Sequence, residues 1–223
     1  GLDVHRLALA VIEDLAFADR NDFALIGLFS GRVGNHDPAC GLAFRVQTLD
    51  YMIVSHYHGD HVGNAAEMVK RIPVRHIYDR GGWIVEAAPG RAAAFNTWKA
   101  VRDSLPVTVP KVGEKIPITG IDAEFVVSTN DVLKTSELIK TPMRGEPGAG
   151  APNPECKDFV PKEMDPTPEN YYSLGMTIKY NNWRMLDLFD LTWNQEKELV
   201  CPNNLLGTFD LYHTTRHGTE WSG

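Results

Sequence analysis

Residues 49–63 read LDYMIVSHYHGDHVG. Leu49–Ser55 is apolar, partly β-branched and bounded by polar residues, the pattern of a buried strand. It runs directly into Ser55-His56-Tyr57-His58-Gly59-Asp60-His61. Three imidazoles and a carboxylate fall within six residues, and H-x-H-x-D-H should arise by chance in on the order of one such chain per thousand. Neutral imidazole and carboxylate are ligands that divalent zinc accepts, and a catalytic site leaves one position open for water. In a turn after a strand, residues i and i+2 point to the same side. His56 and His58 are therefore expected to grip one ion, with Asp60 and His61 turned toward a second beside it.

Two later segments offer further ligands. Leu186–Thr192 (LDLFDLT) ends a strand with Asp190, and Asp210–Gly218 (DLYHTTRHG) ends another with His217 before a glycine. Asp190 also reads as a residue at a helix N-terminus ahead of Trp193–Val200, and His217 alone reads as a surface or core histidine.

Around these motifs the chain reads as an α/β protein. A helix is expected over Leu2–Ala18, from Leu7, Leu9, Val11, Ile12 and Leu15, and a strand over Asp22–Phe29. Helices follow at Asn64–Lys70 and Arg91–Leu105, with a strand between them at Val74–Tyr78. The period then changes to short strands at Val107–Val109, Lys115–Ile118 and Ile121–Ser128. Residues 141–170 hold seven of the 14 prolines, so they form a surface excursion rather than a helix or central strand. Tyr172–Tyr180 and Trp183–Phe189 form a hairpin about Asn181-Asn182, followed by a helix at Asn194–Val200 and a strand at Phe209–His213. The alternation is not regular βαβ, and no G-x-G-x-x-G joins a strand to a helix, which gives a dinucleotide fold no support.

Composition narrows the class. The 223 residues carry 22 Lys+Arg against 29 Asp+Glu, a formal charge of −7, with 43% hydrophobic residues. This suits one domain over residues 1–223 with a sizeable core, and excludes whole-chain disorder. An acidic balance gives no footprint for nucleic acid, and no apolar run nears the ~18 residues of a membrane span. The compartment stays open: cytoplasmic, or exported after loss of a leader. Cys40, Cys156 and Cys201 are an odd number at wide spacing, which argues against a disulfide framework and for packing as small hydrophobes.

Taken in order, the H-x-H-x-D-H turn, Asp190 and His217-Gly218 resemble the metallo-β-lactamase fold superfamily. SHYHGDHVG, LDLFDLTWN, ELVCPNN and DLYHTTRHG look like a bacterial branch similar to the soluble hydrolase domain of DNA-uptake competence channels. The resemblance runs from about Leu49 to Ser222. It implies an αββα sandwich of two mixed sheets with outer helices and a one- or two-zinc site. Carried over by position, His56 and His58 belong to the first metal, Asp60, His61 and His217 to the second, and Asp190 bridges them. The pattern departs in four places. The third histidine of the first metal has no counterpart, the one intervening histidine being His76 and Asp79 a conceivable substitute. Phe189 stands where glycine is common, Arg216 where another histidine is common, and the chain looks truncated or altered at both ends.

These features imply a zinc-dependent hydrolase acting on a small-molecule ester, lactone, lactam or phosphodiester, with Asp60 or Asp190 orienting the attacking hydroxide. The competing expectation is a catalytically silent metal-binding member acting as a binding protein. Oligomeric state is not encoded.

Overall fold

The computed structural model describes residues 8–11, 14–15, 25–29, 48–86 and 88–222, the first three stretches as backbone alone. It divides into two compact units with their boundary between Thr108 and Val109, at the change of period noted above.

The first unit carries a six-stranded sheet in the order β2-β3-β1-β4-β5-β6. Its strands are β1 (Ala8–Val11), β2 (Asp14–Leu15), β3 (Leu25–Phe29), β4 (Leu49–Val54), β5 (Val74–Asp79) and β6 (Val107–Thr108). All neighbours pair in parallel except β2 with β3. Three helices accompany them: α1 (Gly59–Val62), α2 (Ala65–Arg71) and α3 (Pro89–Arg102). Met52, Ile53, Val54 and Ile77 are buried, as a near-continuous apolar run in a parallel sheet should be. α3 starts on Pro89, whose missing N–H costs nothing there, and buries Phe95 and Trp98 one turn apart.

The expected helix over Leu2–Ala18 is overturned where the chain is described, since Ala8–Val11 and Asp14–Leu15 are strands. Short apolar runs fit either period, and the parallel partners β3 and β4 decide in favour of the strand. The rest of that span, Asp22–Ala24 and Cys40 lie outside the described residues. The helix α1 was not foreseen, and it takes in Asp60 and His61 themselves.

The second unit holds a sheet in the order β12-β11-β10-β8-β7, with β9 also paired to β8. These are β7 (Lys115–Ile116), β8 (Asp122–Asn130), β9 (Thr135–Leu138), β10 (Gly175–Tyr180), β11 (Trp183–Asp187) and β12 (Leu211–His213). β10 and β11 form the expected antiparallel hairpin, with Asn181 in the left-handed region (φ 53°) that asparagine tolerates. β12 lies parallel to β11, pairing Asp187 with His213. Leu188, Leu191 and Leu199, the last on helix α4 (Trp193–Val200), are buried with Val126 and Val127 of β8. The strand β9 has no counterpart in the sequence expectations.

The Pro-rich stretch 141–170 holds two single 3₁₀ turns, Pro154–Asp158 and Pro168–Tyr172. A Cys156–Cys201 disulfide fastens it to the end of α4, which overturns the expectation that these cysteines pack as free thiols. Their wide sequence spacing hides a Cα–Cα distance of 5.7 Å, because the excursion doubles back on α4. Two mixed sheets with helices make the chain the mixed α/β protein expected. Among the described residues no helix is long and apolar enough to cross a membrane.

The bridge closes a loop of 45 residues, so Cys156→Ser with Cys201→Ser should cost about 2–4 kcal/mol of stability. Thermal or urea unfolding of the double variant checks this, and reduction of the wild type should reproduce the loss.

Candidate functional site

In the first unit, strand alternation persists past the end of β4. Tyr57 turns into the core, against Phe95 (ring centroids 4.9 Å apart), and its hydroxyl donates to Gly81 O. Burial, with Asp79 nearby, pushes the Tyr57 phenol well above its ordinary range. His56 and His58 turn the other way together, as the i, i+2 argument expects, with His56 Nε2 3.0 Å from His58 Nδ1. The rings of His56 and His61 stand 4.0 Å apart. All three imidazoles are buried.

Their outer nitrogens are tied down. Ser55 Oγ lies 3.1 Å from His56 Nδ1 and 3.3 Å from His61 Nδ1. A hydroxyl oxygen has two lone pairs, so Ser55 can accept an N–H from each ring and leave both Nε2 atoms as acceptors. His58 Nε2 lies 3.3 Å from Glu86 Oε1, and Glu86 is itself paired with Arg91. With that N–H donated to Glu86, His58 Nδ1 is an acceptor as well. With both inner nitrogens as acceptors 3.0 Å apart, the pair is arranged to share a cation; with a proton on His56 Nε2 it is an N–H···N hydrogen bond. Asp60, on the first turn of α1, is half exposed and lies 3.8 Å from His61 Nε2. The α1 turn is tight: a Cβ at Gly63 would stand 2.3 Å from Gly59 O.

Neither His76 nor Asp79, the conceivable substitute for the missing third histidine, joins this cluster. Asp79 is the buried partner of Arg102, which holds both carboxylate oxygens, and it also accepts from Gly81 N at 3.0 Å. Burial nonetheless raises its pKa. His76 bonds Thr108 Oγ1 at 2.9 Å.

The second unit brings Asp190 and His217 together, 27 positions apart in sequence. His217 Nε2 is 3.5 Å from Asp190 Oδ1. β11 ends at Asp187, and the chain turns through Phe189, whose φ of 50° explains why glycine suits that position. Phe189 N donates to Asp187 Oδ1 at 3.1 Å, and Asp190 N to Ser173 Oγ at 3.2 Å, leaving Asp190 2% exposed. The cap of α4 is Thr192, so Asp190 is not a helix-terminal residue. His217 lies in a turn, Thr215–Gly218, where Arg216 and His217 both take left-handed conformations. The Arg216 guanidinium reaches Asp190 Oδ2 at 3.8 Å and Asp165 Oδ2 at 2.7 Å. His213 Nδ1 sits 3.3 Å from Asp187 Oδ1, and that hydrogen bond raises its pKa.

Sequence reasoning assigned no role to Ser55, Glu86, Asp165, Arg216 or His213. Ser55 carried a signal, a hydroxyl adjoining the histidines. Glu86 and Asp165 carried none, because each reaches its partner only through the fold.

The model of the metallo-β-lactamase superfamily matches residues 23–132. The match therefore includes His56, His58, Asp60 and His61 and stops short of Asp190 and His217. Similar solved structures include Zn(2+)-bound PqqB from Methylobacterium extorquens, 16% identical with a TM-score of 0.30 over 62% of this chain and 37% of that one. CmlA, a diiron β-hydroxylase from Streptomyces venezuelae, is 11% identical with a TM-score of 0.30 over 70% of this chain and 24% of that one. The chain thus spans 37% of the first protein's length and 24% of the second's. No curated protein matches in sequence.

Burial raises the Asp165 pKa, but hydrogen bonds from Arg216, Thr167 and Asn170 outweigh it and hold the carboxyl at about 2, below its ordinary 3.8. The stability it contributes is thus present above pH ~4 and lost as the pH falls toward ~2. In thermal melts across that window, the gap between wild type and Asp165→Asn should close on acidification.

Proposed function

We propose, from the metallo-β-lactamase superfamily sequence over residues 23–132, that the protein is a metal-dependent hydrolase. The observation that carries this reading is the 3.0 Å approach of His56 Nε2 and His58 Nδ1, with the outer nitrogens of both rings engaged by Ser55 and Glu86. Two nitrogens bound to one zinc at ~2.0–2.1 Å in tetrahedral geometry stand roughly 3.3 Å apart, so the pair fits such an ion. The hydrogen bonds behind the rings are the outer-shell kind that fixes tautomer and ring orientation. In this reading His56 and His58 hold the first zinc, Asp60, His61 and His217 the second, and Asp190 links the two.

Zinc bound there would lower the pKa of water toward ~7 and polarise a carbonyl or phosphoryl oxygen. The chain supplies the rest. Asp60, half exposed on the first turn of α1, or Asp190 would orient the attacking water. The proposed substrate is a small ester, lactone, lactam or phosphodiester. A net charge of −7 favours a small substrate over a long polyanion.

A second reading, a catalytically silent metal-binding protein, draws on Arg216. Its guanidinium stands 3.8 Å from Asp190 and gives that carboxylate a protein cation.

Elemental analysis for zinc, iron and manganese, before and after chelation, should show bound metal, and restored metal should restore turnover of an ester, lactone, lactam and phosphodiester panel. His61→Ala and Asp190→Asn should lose metal and turnover together. Full turnover in either variant overturns the hydrolase reading, while metal without turnover on any substrate favours the silent one. Ser55→Ala and Glu86→Gln should weaken metal binding by roughly 10–100-fold, as loss of outer-shell partners does, measured by competition with a chromophoric chelator.

A further inference from the structure

Arg216 and His217 are consecutive non-glycine residues in the left-handed region, at φ 50° and 55°. Such a turn persists only where its surroundings over-determine it. The contacts that do so converge on Arg216. Its backbone N donates to Phe189 O at 3.1 Å, which seats the turn on the residue before Asp190. Nε donates to Asp165 Oδ2 at 2.7 Å and Nη2 to Thr167 Oγ1 at 3.2 Å, while Nη1 stands 3.8 Å from Asp190 Oδ2.

Asp165 is built to receive this fork. Its side chain is fully buried and accepts from Thr167 N and Asn170 Nδ2, both at 2.8 Å, besides Arg216. The strap that carries it is stitched nearby, with Lys162 Nζ donating to Glu220 O at 2.6 Å and Ser222 O at 3.0 Å. Asp165 thus presents a fixed anion, and a planar guanidinium faces it and Asp190 with separate nitrogens, whereas a lysine has one nitrogen to place between them.

We infer that Arg216 is a positioning residue for the Asp190–His217 pair, through which the Pro/Gly-rich strap governs metal affinity at that pair. The inference rests on the metal-site reading proposed above and adds to it a dependence on Asp165, outside any ligand set. Arg216 sets the backbone from which His217 projects, and this positioning outweighs the repulsion its charge, 3.8 Å from Asp190, exerts on a bound cation.

The test is Co(II) titration of the full chain, read by visible absorbance for affinity and stoichiometry, with circular dichroism and melts on the same samples. Arg216→Gln and Asp165→Asn should each weaken cobalt binding by roughly tenfold or more. The double variant should be little weaker than either single one, because both break the same link. Arg216→Lys, which keeps the charge and loses the fork, should recover part of the affinity. Should Arg216→Gln fail to fold, Asp165→Asn and Arg216→Lys carry the comparison. Wild-type cobalt affinity in the folded variants, or losses that simply add, overturns the inference and leaves the hydrolase reading standing. A wild-type protein that takes up no cobalt or zinc removes the metal site and this inference together.

Discussion

Three imidazoles buried at the end of one strand are the constraint on which the first unit's chemistry depends. Both nitrogens of each buried ring need partners, because a polar group left unpaired away from water is costly. Ser55 and Glu86 meet the outward half of that demand. The inward nitrogens of His56 and His58 then lie 3.0 Å apart. Stability alone would favour apolar side chains there. In the proposed metal reading, a shared cation would offset the cost of keeping polar rings dry.

The second unit reaches a similar end by a different route. Parallel pairing of β11 with β12 sets Asp187 beside His213, so the two chain ends leave the sheet in step. Asp190 comes three residues after one and His217 four after the other. Register thus accounts for a meeting that sequence distance conceals. Side-chain reach is then set by backbone turns that ordinary residues avoid, at Phe189, Arg216 and His217. A long excursion with seven prolines, an entropic liability in isolation, is secured by a disulfide and a buried carboxylate and becomes part of the scaffold.

Legibility followed the range of the interactions. β4, α3 and the β10–β11 hairpin were plain because an apolar run, a 3.6 period and an Asn-Asn turn are written locally. Shared orientation of His56 and His58 was plain for the same reason, since it needs only strand alternation. The N-terminal strands were misread as a helix because Leu9 and Val11 fit both periods and the deciding partners come later in the chain. The disulfide, the loss of Asp79 to Arg102 and the roles of Glu86 and Asp165 depend on contacts 23 to 51 positions apart. No pattern near any of those residues announces its partner.

Phe189 and Arg216, two positions at which the sequence departs from the pattern it resembles, are joined in the structure. Arg216 N donates to Phe189 O, and both residues hold positive φ. Phenylalanine in place of glycine makes the first turn harder to form, and its ring is buried. Such a turn needs an external hold, which an arginine fixed at two carboxylates supplies better than a histidine, whose ring lacks a second donor on the same edge. Arg216 thus braces the Phe189 turn through its backbone N–H, and its guanidinium links the Asp190 turn to the strap. The hold on these two turns thus combines a backbone hydrogen bond between them with an ion pair to Asp165.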